Sequence, residues 1–238
     1  MKNKKTYYLL ILDKSGSMGS VINETVNGFN EQVQLIKDLQ YKYPEQKIFV
    51  SLVTFNNEIS EDMLFANAGE IKELKQVDFY SRNKKIPDEY GTVTYAPRGM
   101  TALYDAIGKS VKKLKKRIKH EIKNDEATAV VVILTDGHEN SSKKYTYKDI
   151  RKMIGKLEKS DNWTFSYLGA TPDAVDIAKS LNIKKHNSMS FVKEDMKGAF
   201  AAYNRSVNAY IDKKSRGIKS KRFLDDDQKK GLGNENNL

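Results

Sequence analysis

Four short runs of apolar, β-favouring residues, at 6–12, 48–55, 129–135 and 163–169, alternate with segments whose apolar residues recur at helical spacing. This alternation restricts the fold more than any other feature of the chain. A strand covered on both faces reads as a near-continuous apolar run, whereas one that faces water alternates. Residues 21–39 carry apolar side chains at 22, 26, 29, 33, 36 and 39, and residues 103–122 at 103, 107, 111, 114, 118 and 122. Each set is one stripe of a helix. Shorter helices are expected at 147–157 and 172–181, the second with Thr171 as its N-cap and Pro172 in its first turn. The expected fold is α/β, a doubly wound and mostly parallel sheet with helices on both faces.

Weaker signals complete the outline. A strand is expected at 62–66, at a sheet edge, and another at 186–191. Residues 69–98 are charged and contain Pro87, Gly91 and Pro97, which reads as a short helix and a long loop leading into Gly99. Residues 195–210 form a closing helix with Met196, Phe200, Tyr203, Val207 and Tyr210 on one side. Beyond Lys213 the chain turns polar with mixed charge blocks. The expectation is one domain over 1–212 and a disordered tail over 213–238. The length of 238 residues suits one such domain with additions, and there is no internal repeat.

Oxygen-bearing side chains collect where strands should end and helices begin. Asp13-Lys14-Ser15-Gly16-Ser17 follows the first strand, Gly99-Met100-Thr101 precedes the second long helix, and Thr135-Asp136-Gly137 ends the strand at 129–135. In parallel sheets, ligands bind outside the carboxyl ends of strands, where such loops converge. Carboxylates and hydroxyls suit a hard cation, and the 13, 15, 17 spacing lets alternate residues of an extended turn point the same way. Each piece also has a bland reading. Asp13, Ser15 and Ser17 can cap the helix starting near Ser20, Thr101 can be an N-cap, and Asp136-Gly137 can be a turn. Their joint occurrence at successive strand ends favours a metal site of Asp13, Ser15, Ser17, Thr101 and Asp136.

The segments from Asp13 to Met18, from Gly99 to Ile107 and from Leu134 to Gly137 resemble the metal-ion-dependent adhesion site of von Willebrand factor A domains, in its bacterial and phage-type form. The resemblance covers about residues 5–212. It implies a doubly wound sheet with one antiparallel edge strand and a site for Mg²⁺, with Mn²⁺ or Ca²⁺ as alternatives. It also implies roles: Ser15 and Ser17 bind the ion directly, Thr101 directly or through water, and Asp13 and Asp136 mainly through water. Neutral hydroxyls then leave the ion electrophilic, and the implied function is binding a protein partner that donates an Asp or Glu carboxylate. Lys14 and His138 stand at variable positions, and the segment 69–98 matches no partner-specific pattern.

Competing classes carry less. Asp13 with Thr135-Asp136-Gly137 distantly resembles haloacid-dehalogenase-type phosphatases, but Ser15 stands where those enzymes carry a second carboxylate. No nucleophile elbow, P-loop or dinucleotide fingerprint occurs, and His120, His138 and His186 are scattered, so the chain is expected not to be an enzyme. The net charge of +11 draws acidic partners. Lys109, Lys112, Lys113, Lys115, Lys116, Arg117, Lys119 and Lys123 on the second long helix, with Lys213, Lys214, Arg216, Lys219, Lys221 and Arg222 beyond it, offer an alternative nucleic-acid or anionic surface. Aromatics that stack bases are not interleaved with either cluster. The chain has no cysteine, no run approaching the ~20 residues of a membrane span, and no signal-peptide pattern at its start, which leads to a cytoplasmic expectation.

Overall fold

A computed structural model describes residues 4–76, 91–218 and 220–224. The main sheet has six strands in the order β3-β2-β1-β6-β7-β8. They are β1 (Lys5–Asp13), β2 (Lys47–Phe55), β3 (Ile59–Asn67), β6 (Ala127–Thr135), β7 (Trp163–Gly169) and β8 (Ser188–Ser190). All neighbours pair in parallel except β2 and β3, so β3, at one edge of the sheet, is the antiparallel strand. The five α-helices among the described residues are α1 (Ile22–Lys42), α2 (Leu103–Lys123), α3 (Tyr147–Leu157), α4 (Ala174–Ser180) and α5 (Met196–Ser215). The expected doubly wound architecture is therefore present, with its antiparallel edge strand.

Strand periodicity sorts side chains onto two cores. From β1, Tyr8, Leu10 and Leu12 enter the core shared with α1 and α5, and Tyr7, Leu9 and Ile11 enter the core beneath α2, α3 and α4. β6 divides likewise, Val130, Val132 and Leu134 against Ala129, Val131 and Ile133. Both strands are buried on both faces, which is why they read as unbroken apolar runs. Close helix packing uses Gly28 of α1, where an added Cβ would collide with the Phe200 ring of α5. The chain leaves β1 toward β2 on one side and returns through β6 on the other. The carboxyl ends of β1 and β6 thus form the point where strand order reverses, the place where such sheets open a crevice.

Three expectations need correction. Within 69–98, where a short helix and a long loop are expected, a 3-10 turn over Ala68–Glu70 is followed by β4 (Glu73–Gln76), which pairs in parallel with β5 (Thr92–Tyr95) as a second, two-stranded sheet, and 77–90 lie outside the described residues. Asn30 of α1 holds it in place, accepting from the Leu74 backbone N–H at 2.7 Å and donating to the Leu74 carbonyl at 2.9 Å. Helix α4 starts at Ala174 after Asp173, so Thr171 and Pro172 lie before it, and the Thr171 carbonyl rather than its hydroxyl accepts the Ala174 N–H. Packing also continues past residue 212. Helix α5 runs to Ser215, and Phe223 lies buried against the rings of Tyr8, Tyr203 and Tyr210. Asn187 seats this segment, its Oδ1 accepting from the Phe223 N–H at 2.7 Å and its Nδ2 donating to the Lys221 carbonyl at 2.7 Å. The tail expected over 225–238 lies outside the described residues.

Phe223→Ala is expected to lower unfolding free energy by about 3 kcal/mol in urea denaturation, the usual loss for truncating a buried aromatic. A loss within about 0.5 kcal/mol, as for an exposed position, would show that residues 220–224 do not pack.

Candidate functional site

Asp13 is the last residue of β1 and is fully buried. Its Oδ2 accepts from the Thr135 hydroxyl of β6 at 2.5 Å, and its Oδ1 accepts from the Ser15 N–H at 2.7 Å. Its carbonyl accepts from the buried Tyr95 hydroxyl of β5 at 2.6 Å. Burial is the largest influence on its acidity and pushes the carboxyl up to about 6, against the lowering effect of the Thr135 and Ser15 hydrogen bonds. A buried carboxylate with neutral donors only is short of positive charge.

The chain then turns, and the alternation expected from the 13, 15, 17 spacing is realised. The Ser15 and Ser17 Oγ atoms stand 3.1 Å apart, and Ser17 Oγ donates to Asp136 Oδ1 at 2.7 Å. Lys14 points elsewhere, its ammonium donating to Ser60 Oγ at 2.6 Å. Neither Ser15 nor Thr101 caps a helix through its side chain: Ser15 precedes a 3-10 turn without a side-chain cap bond, and Ala102, not Thr101, precedes α2. The capping alternatives therefore fall away for these two hydroxyls.

Thr101 is carried in by backbone bonds between loops. The Gly16 N–H donates to the Gly99 carbonyl at 2.9 Å, the Arg98 N–H to the Lys14 carbonyl at 2.8 Å, and the Ala102 N–H to the Asn56 carbonyl at 2.9 Å. Gly99 adopts a φ of +77°, and a Cβ there would collide with Asn57 Oδ1, the acceptor of the Met100 N–H at 2.7 Å. On the other flank Asn140 brackets Thr101, its Oδ1 accepting from the Thr101 N–H at 2.8 Å and its N–H donating to the Thr101 carbonyl at 3.0 Å. The α2 N-terminus is capped from this same loop: Glu139 accepts from the Tyr104 N–H at 2.8 Å and Ser142 Oγ from the Asp105 N–H at 3.0 Å.

The absence of a side chain at Gly137 locates the meeting point. A Cβ built there would lie 3.4 Å from Thr101 Oγ1 and 3.8 Å from Ser17 Oγ. All five expected residues thus converge from three loops at the carboxyl ends of β1 and β6. The donor set is all oxygen and carries two carboxylates, which fits a hard divalent cation. Among the described residues no group of three or more His, Cys, Asp or Glu side chains is placed to hold a metal. A cation here depends on the hydroxyls.

Sequence reasoning missed Lys193, in the turn before α5. Its ammonium lies 2.6 Å from Asp136 Oδ2 and also donates to the Ser17 carbonyl. In a segment reading Val-Lys-Glu-Asp, nothing marks it. Thr135 is legible only as part of the Thr135-Asp136-Gly137 motif, and Tyr95 lies in the segment 69–98 that reads as a short helix and a loop. His138 sits at the rim, 62% exposed, with Nε2 3.9 Å from Asp173 Oδ1. On α2, Lys109 and Lys113 pair with Glu61, and Arg117 lies 4.0 Å from Glu121 and over the Phe65 ring. Part of the basic face is therefore engaged within the domain. No helix among the described residues is long and apolar enough to cross a membrane.

With chelator present, Asp13 gives a definite pH signature. Its folded-state pKa of about 6 lies above the ordinary 3.8, so the folded form holds the proton more tightly. Its contribution to stability is fully present below pH 3.8 and is lost as pH rises through about 6. Relative to Asp13→Asn, the wild type is expected to gain about 2–3 kcal/mol between pH 7 and pH 4, read by urea denaturation in EDTA. A difference that stays flat with pH would mean that Asp13 is not buried as a carboxyl.

Comparison with curated proteins finds no match. Solved structures share the fold. The von Willebrand factor domain of the type V pili tip protein Mfa5 from Porphyromonas gingivalis aligns at 10% identity over 89% of this chain and 97% of its own, with a TM-score of 0.54. The PilB minor pilin from Streptococcus sanguinis aligns at 10% identity over 89% of this chain and 63% of its own, with a TM-score of 0.50. Proximal thread matrix protein 1 from the mussel byssus, in a structure with a zinc-occupied metal-ion-dependent adhesion site, aligns at 14% identity over 90% of this chain, with a TM-score of 0.48. The chain spans less than half of that mussel protein, 46% of its length. The model of the von Willebrand factor type A domain matches residues 9–203, and the chain belongs to that family.

Proposed function

We propose that the protein is a divalent-cation-dependent binding module that engages an acidic side chain of a partner protein. The observation that carries this reading is the convergence beside Gly137: the Thr101 and Ser17 hydroxyls both lie within contact distance of where a Cβ of residue 137 would stand, with Ser15 and the two carboxylates beside them. Ser15, Ser17 and Thr101 would contact the ion, and Asp13 and Asp136 would act on it mainly through water. Mg²⁺ is the first choice, with Mn²⁺ or Ca²⁺ as alternatives. When bound, the ion supplies a Lewis-acidic position that neutral hydroxyls leave electrophilic, and a carboxylate is its natural complement.

The surroundings support binding rather than catalysis. The nearest histidine in sequence, His138, is an exposed rim residue 3.9 Å from Asp173, and Asp136, the carboxylate that accepts from the Ser17 hydroxyl, is held in an ion pair with Lys193. Two exposed apolar side chains, Met100 and Val192, stand one residue from Thr101 and Lys193. They give the face a small apolar rim for a partner to cover.

Calorimetric titration with Mg²⁺ or Mn²⁺ is expected to show one site in the wild type, with binding lost in Asp13→Ala and Ser15→Ala while circular dichroism stays native. Unchanged metal affinity in both variants would overturn the assignment. Partner capture is expected to fail in EDTA and to be abolished by one Asp→Asn or Glu→Gln change in the captured protein. Capture that survives chelation and every such change would place docking elsewhere.

A further inference from the structure

Asp136 already has a cation. Its side chain is fully buried, Oδ1 accepts from Ser17 Oγ, and Oδ2 has no hydrogen-bond partner apart from its ion pair with the Lys193 ammonium at 2.6 Å. The same ammonium donates to the Ser17 carbonyl, so one charge ties the loop after β1 to the loop after β6. Without it Asp136 would be a buried and uncompensated carboxylate, which is a costly arrangement.

Lys193 does not reach this place by chance excursion of a surface lysine. Phe191 anchors the approach, buried in the α1/α5 core with its N–H donating to the Gly169 carbonyl at the end of β7 at 3.0 Å. The Asp195 N–H donates to the Val192 carbonyl at 2.9 Å and closes the turn, and Asp195 Oδ1 caps α5 by accepting from the Gly198 N–H at 3.1 Å. The Lys193 backbone is thus held on both sides, and only its four-carbon stem is free to move. The side chain is 27% exposed, so it has a way out to water.

We propose that Lys193 is an internal competitor for the cation position, which holds Asp136 and the Ser17 loop in the metal-free protein and must let go before a divalent ion binds. This rests on the cation-binding reading above. An ammonium 2.6 Å from Asp136 Oδ2 and a dication served by Asp136 and Ser17 repel each other across a few ångströms of buried protein. The two cations therefore exchange rather than coexist, and Lys193 sets how much free metal the site needs. Binding the metal frees the lysine into solvent, and removing the metal returns it to Asp136.

Magnesium titration by calorimetry at fixed ionic strength, on wild type, Lys193→Met and Lys193→Arg, tests this. Lys193→Met is expected to bind Mg²⁺ on the order of tenfold more tightly, within the usual range of coupling between two sites. Lys193→Arg keeps the charge and is expected to stay near wild type. Lys193→Gln, which keeps a donor for Asp136 without the charge, replaces the methionine variant if that protein fails to fold in EDTA. Equal or weaker Mg²⁺ affinity in the uncharged variants, beside a wild type that does bind, overturns the competition and leaves the metal site standing. No uptake in any variant overturns the metal reading and the competition with it.

Discussion

The burial of the Asp13 carboxylate at the junction of β1 and β6 is the constraint that the rest of the site obeys. The junction is where the sheet reverses its winding, so two central strands end side by side and the helices that follow them, α1 and α3, pack on opposite faces. A carboxylate placed there is cut off from water, and its donors, the Thr135 hydroxyl and the Ser15 N–H, are neutral. They orient the group but do not supply its counter-charge, and its acidity falls accordingly. Asp136, one residue beyond β6, adds a second buried carboxylate on the same side. Two such groups together place two negative charges in one small volume, and among the described residues the Lys193 ammonium is paired with Asp136.

The surrounding loops are held in place chiefly by hydrogen bonds of the backbone. The Gly16 and Arg98 N–H groups lace the loop after β1 to the loop before α2, and Asn140 laces that loop to the one after β6. Asp105 extends the same lattice outward, its carboxylate accepting from the Lys143, Lys144 and Tyr145 N–H groups. Those bonds draw its pKa down against the opposing effect of burial. Hydroxyls set on a lattice of this kind are preorganised, so little ordering would be left for the proposed ion or its ligand to impose.

Much of this was legible in the sequence because parallel strands buried on both faces leave unmistakable apolar runs, and the loops that follow such strands must meet. The candidate site residues stand out for the same reason, as oxygen donors at strand ends. What escaped notice has physical causes. In β4 only Leu74 is buried, and its neighbours Glu73, Lys75 and Gln76 are exposed, so four residues cannot display a period. β5 alternates over four residues only, Val93 and Tyr95 inward, and its partner lies far away in sequence. Phe223 and Leu224 are two apolar residues in a charged stretch, and their burial depends on the ring cluster of Tyr8, Tyr203 and Tyr210 rather than on any local pattern. Lys193 is one lysine among many, and only the fold brings it to Asp136.

The most direct measurement is the anomalous diffraction of Mn²⁺ in crystals of the full chain. The expected map contains one strong peak in coordination distance, about 2.0–2.3 Å, of the Ser15 and Ser17 Oγ atoms, beside Thr101 and next to Asp136. A crystal grown in excess Mn²⁺ with no peak among these hydroxyls, or with its manganese bound elsewhere, would contradict the reading of this site as a cation-dependent binding face.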